Sequence, residues 1–241
     1  MIACCLSVPG VDWTFQRNSE QITVSQVKPK IEGISIVLLG AFSPPIFQPA
    51  WFALHDLIRS EEAEAATVEI IHTEVVSLSI AAVKLQVTPD RYAASTINPS
   101  AYEVLRDLTL GAFRILSHTP IRAMGLNWDL HFRMTSEQSW HEAGHRLAPK
   151  DLWTGILEKP GMRSLTMEGV RPDTNPGYIR VRVEPSIQVH PGVYININDH
   201  YEIKDHKPEQ GCEGILNILV SNWNAFLNRS QMATSFITGL M

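Results

Sequence analysis

Strict alternation of apolar and polar residues constrains this chain more than any other feature. Val193, Ile195 and Ile197 alternate with Tyr194, Asn196 and Asn198. Ile179, Val181 and Val183 alternate in the same way with Arg180, Arg182 and Glu184. Successive side chains of a strand point to opposite faces, so each segment presents one apolar and one polar face. Strands of this kind belong to an antiparallel sheet that is covered on one side.

The remaining segments fill in around that sheet. Ile34 to Leu39 is a β-branched apolar run and reads as a buried strand, broken by Ser43-Pro44-Pro45. A helix is expected from about Pro49 to Ser60, with Trp51, Phe52, Leu54, Leu57 and Ile58 on its apolar face. Val68 and Ile70 open a β region. A second strand carries Val76, Leu78, Ile80 and Ala82 on one face and continues to Val87, where Thr88-Pro89-Asp90-Arg91 turns the chain. Asn98-Pro99-Ser100 starts a helix in which Tyr102, Leu105, Ala112, Phe113 and Leu116 recur at helical spacing. Ile121 to Met134 reads as a strand. A short helix over Ser136 to Leu147 and another from Pro149 follow, the latter carrying Leu152, Trp153, Ile156 and Leu157. Strands are expected at Ser164 to Val170, Tyr178 to Glu184 and Val193 to Tyr201, and a helix from Gly211 to about Arg229. One further strand is expected at Ile22 to Val27.

These elements predict an α+β protein. Residues 1–134 give the order β-α-β-β-α-β, which is that of a ferredoxin-like half. Residues 135–241 give a helix, three antiparallel strands and a C-terminal helix, packed closely on the first half because no linker separates them. No internal repeat at a fixed period is visible.

A net charge of -5 offers a polyanion nothing in bulk, so nucleic acid is not an expected partner. Three cysteines, Cys4, Cys5 and Cys212, with no C-x-x-C, form no disulfide framework, and a reducing, cytoplasmic setting is expected. No apolar stretch reaches the roughly 18 residues of a membrane span, and no membrane partner is expected.

One motif carries explicit chemistry. His141-Glu142-Ala143-Gly144-His145 is an H-E-x-x-H, which on a helix sets two imidazoles one turn apart on one face beside a carboxylate. Zinc peptidases hold their metal and their general base in this way. Under that reading His141, His145 and Asp151 would be ligands and Glu142 the catalytic base. Asp151 lies at the metzincin offset, and Glu158 and Glu168 lie at gluzincin-like distances. Several details oppose it: Ala148 stands where metzincins place glycine, Arg146 follows the second histidine, and Gly144 costs a helix about 1 kcal/mol relative to alanine. The plainer reading is a partly exposed helical turn with two surface histidines, and neither a cofactor nor a catalytic residue is then expected. Asn198-Asp199-His200 reads as a turn after a strand, and Cys212 as a buried thiol near a helix start.

Other hints point to association. The segment from Gly211 to Met241 holds only Glu213 and Arg229 as charges, and it keeps Met232, Phe236, Ile237, Leu240 and Met241 after its main helix. Such a segment packs on its own core or on another chain, in a protein partner or by self-association. Trp128, Trp140 and Trp153 are candidates for interface anchors.

Four segments share an order with a known group of proteins. Leu85-Gln86-Val87-Thr88-Pro89-Asp90-Arg91 precedes a helix, and Ile121 to Trp128 follows it. Val193 to Asn198 and then Phe236-Ile237-Thr238 close the series. This order resembles a sporadically distributed, uncharacterised bacterial family of about this length. Its members show a G-L-R-Y strand in the middle and a D-I-D strand before the last helix. The corresponding segments here are Gly125-Leu126-Asn127-Trp128 and Asn196-Ile197-Asn198. The resemblance implies no particular activity, cofactor or catalytic residue, and its sporadic distribution implies a multi-subunit or host-defence setting. The functional expectation is a non-enzymatic bacterial interaction or assembly protein, with a zinc-dependent hydrolase built on residues 141–145 as the alternative.

Overall fold

A computed structural model describes residues 28–203 and 207–241. The strand expected at Ile22 to Val27 lies outside the described residues. Nine strands form one antiparallel sheet. In chain order the elements are β1 (Ile31–Gly40), α1 (Pro49–Leu54), α2 (Ser60–Glu64), β2 (Thr67–Ile71), β3 (Val76–Ile80), β4 (Val83–Thr88), β5 (Arg91–Thr96) and α3 (Tyr102–Ile115). Then come β6 (Ile121–Arg133), α4 (Glu137–Leu147), β7 (Leu165–Val170), β8 (Gly177–Pro185), β9 (Gly192–Glu202) and α5 (Glu213–Leu240). The strand order is β2-β3-β4-β5-β1-β6-β9-β8-β7.

The sheet is therefore larger than the sequence patterns suggest. The single strand expected from Val76 to Val87 is a hairpin that turns at Ala81, whose φ is +49°. Alanines at a turn carry none of the Gly, Asn or Asp signal that marks one. β5 was hidden for a related reason: Tyr92-Ala93-Ala94-Ser95 is weak in β propensity, yet it is paired on both sides by β4 and β1. The helix expected over 49–60 is only α1, which ends at Leu54 before Asp56, whose φ is +55°; α2 begins at Ser60 and continues to Glu64. From Pro149 the chain makes only a short 3-10 turn at Asp151–Trp153. The last helix runs eleven residues past Arg229, to Leu240.

The connectivity is repeated. β1, its helices, β3, β4, β5 and α3 correspond in order and direction to β6, α4, β7, β8, β9 and α5. β1 and β6 lie antiparallel at the centre, Ser35 opposite Asn127, so a pseudo-twofold axis passes between them. β2 has no counterpart. The second unit opens with β6, before residue 134.

Burial alternates along the strands as the sequence requires. Ile34, Ile36 and Leu38 of β1 face the helices, with Met124, Leu126, Leu130 and Phe132 of β6 and Val193, Ile195 and Ile197 of β9. α3 covers this side with Leu105, Leu108, Ala112 and Phe113, and α5 with Ile215, Leu219, Trp223 and Phe226. The Trp223 indole N–H donates to Glu103 at 2.8 Å and ties the two helices together. At the end where β1 leaves the sheet, Phe42, Phe47, Tyr92 and Phe113 pack ring against ring. Between α5 and β9 lies a buried ion cluster. Arg171 and Arg229 each donate to Asp199 at 2.8 Å, Arg171 also donates to Asp173, and its guanidinium lies 3.6 Å from the Tyr201 ring centre. Among the described residues no helix is long and apolar enough to cross a membrane.

Candidate functional site

The H-E-x-x-H lies on α4. Ser136 caps that helix, its Oγ accepting from the Ser139 N–H at 3.1 Å. Ala143 is buried, and Trp140 and Leu147 pack against the core, so the helix turns its other faces outward. His141, Glu142 and His145 are all exposed. Glu142 accepts from the Gln138 amide at 3.0 Å. His145 lies 3.7 Å from Asp151, and its Nδ1 accepts from the Lys150 N–H at 3.4 Å. The His141 ring rests on Trp140. Among the described residues no group of three or more His, Cys, Asp or Glu side chains is placed to hold a metal ion. Glu168, at a gluzincin-like offset, is bound by Arg180 across the β7–β8 pair.

The other motifs are also placed. Asn198-Asp199-His200 lies inside β9 rather than in a turn, so Asp199 and His200 point to opposite faces and cannot act as a dyad. Cys212 is buried, its thiol donates to the Phe113 carbonyl at 3.2 Å, and burial raises its pKa. Trp128 is core, against Tyr102 and Phe226, and Trp140 is half-buried. Trp153 is exposed.

The larger feature is the face of the sheet away from the helices. A row of paired residues crosses it: Lys84, Ser95, Ser35, Asn127, Asn198 and Arg180 on β4, β5, β1, β6, β9 and β8. On one side of the pseudo-axis this row is filled. Asn198 donates to Asn127 at 2.7 Å, and Asn127 donates to Ser35 at 3.2 Å. The Asn198 amide also reaches over Gly125, where a Cβ would lie 3.0 Å from it. Tyr178 and His200 stack at 4.5 Å alongside.

On the other side the row is empty. Gly33, Ser35, Ala93 and Ser95 make a floor of small residues on β1 and β5, and a trough of about 870 Å³ opens above them. Lys84, Gln86 and Arg91 form one wall. The other wall is Asp129, His131, Tyr194 and Arg182, closed at one end by Pro185, Ile187 and Gln188. No family model matches this chain, and no curated protein is significantly similar.

The trough's two walls differ in chemistry. Asp129 accepts from the Tyr194 hydroxyl at 2.5 Å and from Asn196 at 2.9 Å. Burial first, and then Asp129, push the Tyr194 phenol up to about 12, so it stays a donor at neutral pH. His131 stacks on Tyr194, is bonded through Nδ1 to Ser186 at 2.9 Å, and has its pKa lowered by burial. Across the floor, Lys84 is paired with Glu69 at 2.8 Å, whereas among the described residues the Arg91 side chain has a long contact to Gln86 at 3.5 Å. One wall therefore offers a cation, and the other a carboxylate together with the Arg182 guanidinium, which donates to the Tyr194 hydroxyl at 3.4 Å. The sequence signal for this site is the polar face of two strands, which carries Arg182 and Tyr194. Ala93 and Ser95 give none, because their segment is weak in β propensity.

Proposed function

We propose that this is a non-enzymatic interaction or assembly protein that seats an extended, polar segment of a protein partner in the trough on the open sheet face. The small-residue floor is the observation that carries this reading. Neighbouring strands lie about 4.8 Å apart, so a floor two strands wide between long side chains has the width of one extended chain. Walls of both charge signs favour a polar polypeptide over a polyanion, in line with the net charge. The family resemblance would set such a protein in a multi-subunit or host-defence system. We also read β6-β1-β5-β4 with the intervening helices as a ferredoxin-like unit, into which the β2–β3 hairpin is inserted.

Site-specific photo-cross-linking in the cells that make the protein tests the reading. A photoreactive residue at Ser95 is expected to give a discrete adduct that Ser35→Trp and Arg91→Glu abolish. The same residue at Asn224, exposed on α5, is expected to give none. No adduct from Ser95, or the same adduct from both positions, would overturn the proposal.

A further inference from the structure

Apolar side chains are exposed on two segments at one end of the molecule. The chain between α4 and β7 exposes Leu152 (80%), Trp153 (51%), Ile156 (79%) and Leu157 (49%). The last turns of α5 expose Met232 (73%) and Phe236 (70%). Topology brings the two segments to the same end. Phe226 sits over Trp128 near the middle of β6, so the rest of α5 runs toward the place where β6 leaves the sheet and α4 begins. There α4 packs against α5, and the 151–157 segment follows directly from it. Gly155 and Gly161 have open space where a Cβ would stand, so this segment projects outward.

We propose that this end of the molecule is the contact between two copies of the chain. Each of the six side chains offers on the order of 100 Å² to solvent, and together they approach the about 800 Å² per partner that a standard interface buries. The flanking charges select the occupant. Lys150 and Asp151 precede the apolar run, and Glu158 and Lys159 follow it, so both signs are present in equal number. A patch of this kind complements itself about a twofold axis, where each residue meets the copy of another. An anionic lipid surface would instead be met by a cationic rim.

The test is the solution mass of the full chain by sedimentation equilibrium across the micromolar range. The wild type is expected to be a dimer. The double substitution Trp153→Asp with Ile156→Asp is expected to weaken association at least about tenfold. Phe236→Asp, on the other segment, should do the same, with the circular dichroism spectrum of each variant unchanged. If one variant fails to fold, the other still decides. A monomeric wild type would overturn the proposal, whether it stays in solution or sediments with anionic vesicles, the latter result giving the surface to lipid. A dimer that survives every folded variant would overturn it as well. The trough and its cross-link are untouched by these substitutions, so either reading can fail without the other.

Discussion

Asp199 holds two guanidinium groups in a place almost closed to water, and only 1% of its side chain is exposed. Removing one partner of a buried pair leaves the other charge uncompensated, which typically costs 3–5 kcal/mol. Asp199→Ala should therefore lower stability by about 3–5 kcal/mol in urea denaturation, whereas the joint replacement Arg171→Met with Asp199→Leu should cost less. Asp173, held below the ordinary carboxylate range by Arg171, adds stability that is lost only as pH falls through its lowered value. His131 acts at milder pH. Burial lowers its pKa in the folded state, with Asp129 opposing, so below the ordinary value of 6.5 the unfolded chain binds a proton that the folded one excludes. Stability should fall as pH drops through 6.5, and His131→Gln should flatten that slope in denaturation curves taken along the series. None of this was legible in the sequence. Arg171, Asp199 and Arg229 are far apart in the chain, and no periodic pattern brings them together.

Elements were read best where one face is wet and the other buried. The strands β8 and β9 and the long strand β6 follow from alternation, and α3 from its helical spacing. The misreadings share a physical origin: tertiary pairing overrode weak local preference. The sheet imposes strand geometry on the alanines and serine of β5. Buried Ile237 holds α5 helical through a stretch in which Thr234, Thr238 and Gly239 have poor propensity. The exposed run 152–157, spaced like a helix stripe, has no core to pack on and stays a turn. The order of elements also orders local stability. All five residues of β2 are exposed at one sheet edge, β7 is exposed at the other, and β1 and β6 are paired on both sides. In native-state hydrogen exchange, amides of β2 and β7 should exchange at least about a hundredfold faster than those of β1 and β6.

At the scale of the whole molecule, the sequence implied a one-sided antiparallel sheet, and such a sheet is present. Its two topologically matching units were not visible as a repeat, because backbone connectivity is shared while side chains are not. The site was hidden for the same reason, since small residues on β1 and β5 signal a void only once the taller neighbours on β4, β6 and β9 are in place. The unequal filling of the two units has a consequence for stoichiometry. Amides and rings occupy the half that contains β9, so the backbone pseudo-symmetry does not extend to the cavities. Among the described residues the trough has no twin in the other unit, and it carries Arg91 on one flank and Asp129 on the other. A partner seated there as proposed would therefore bind at one site per chain.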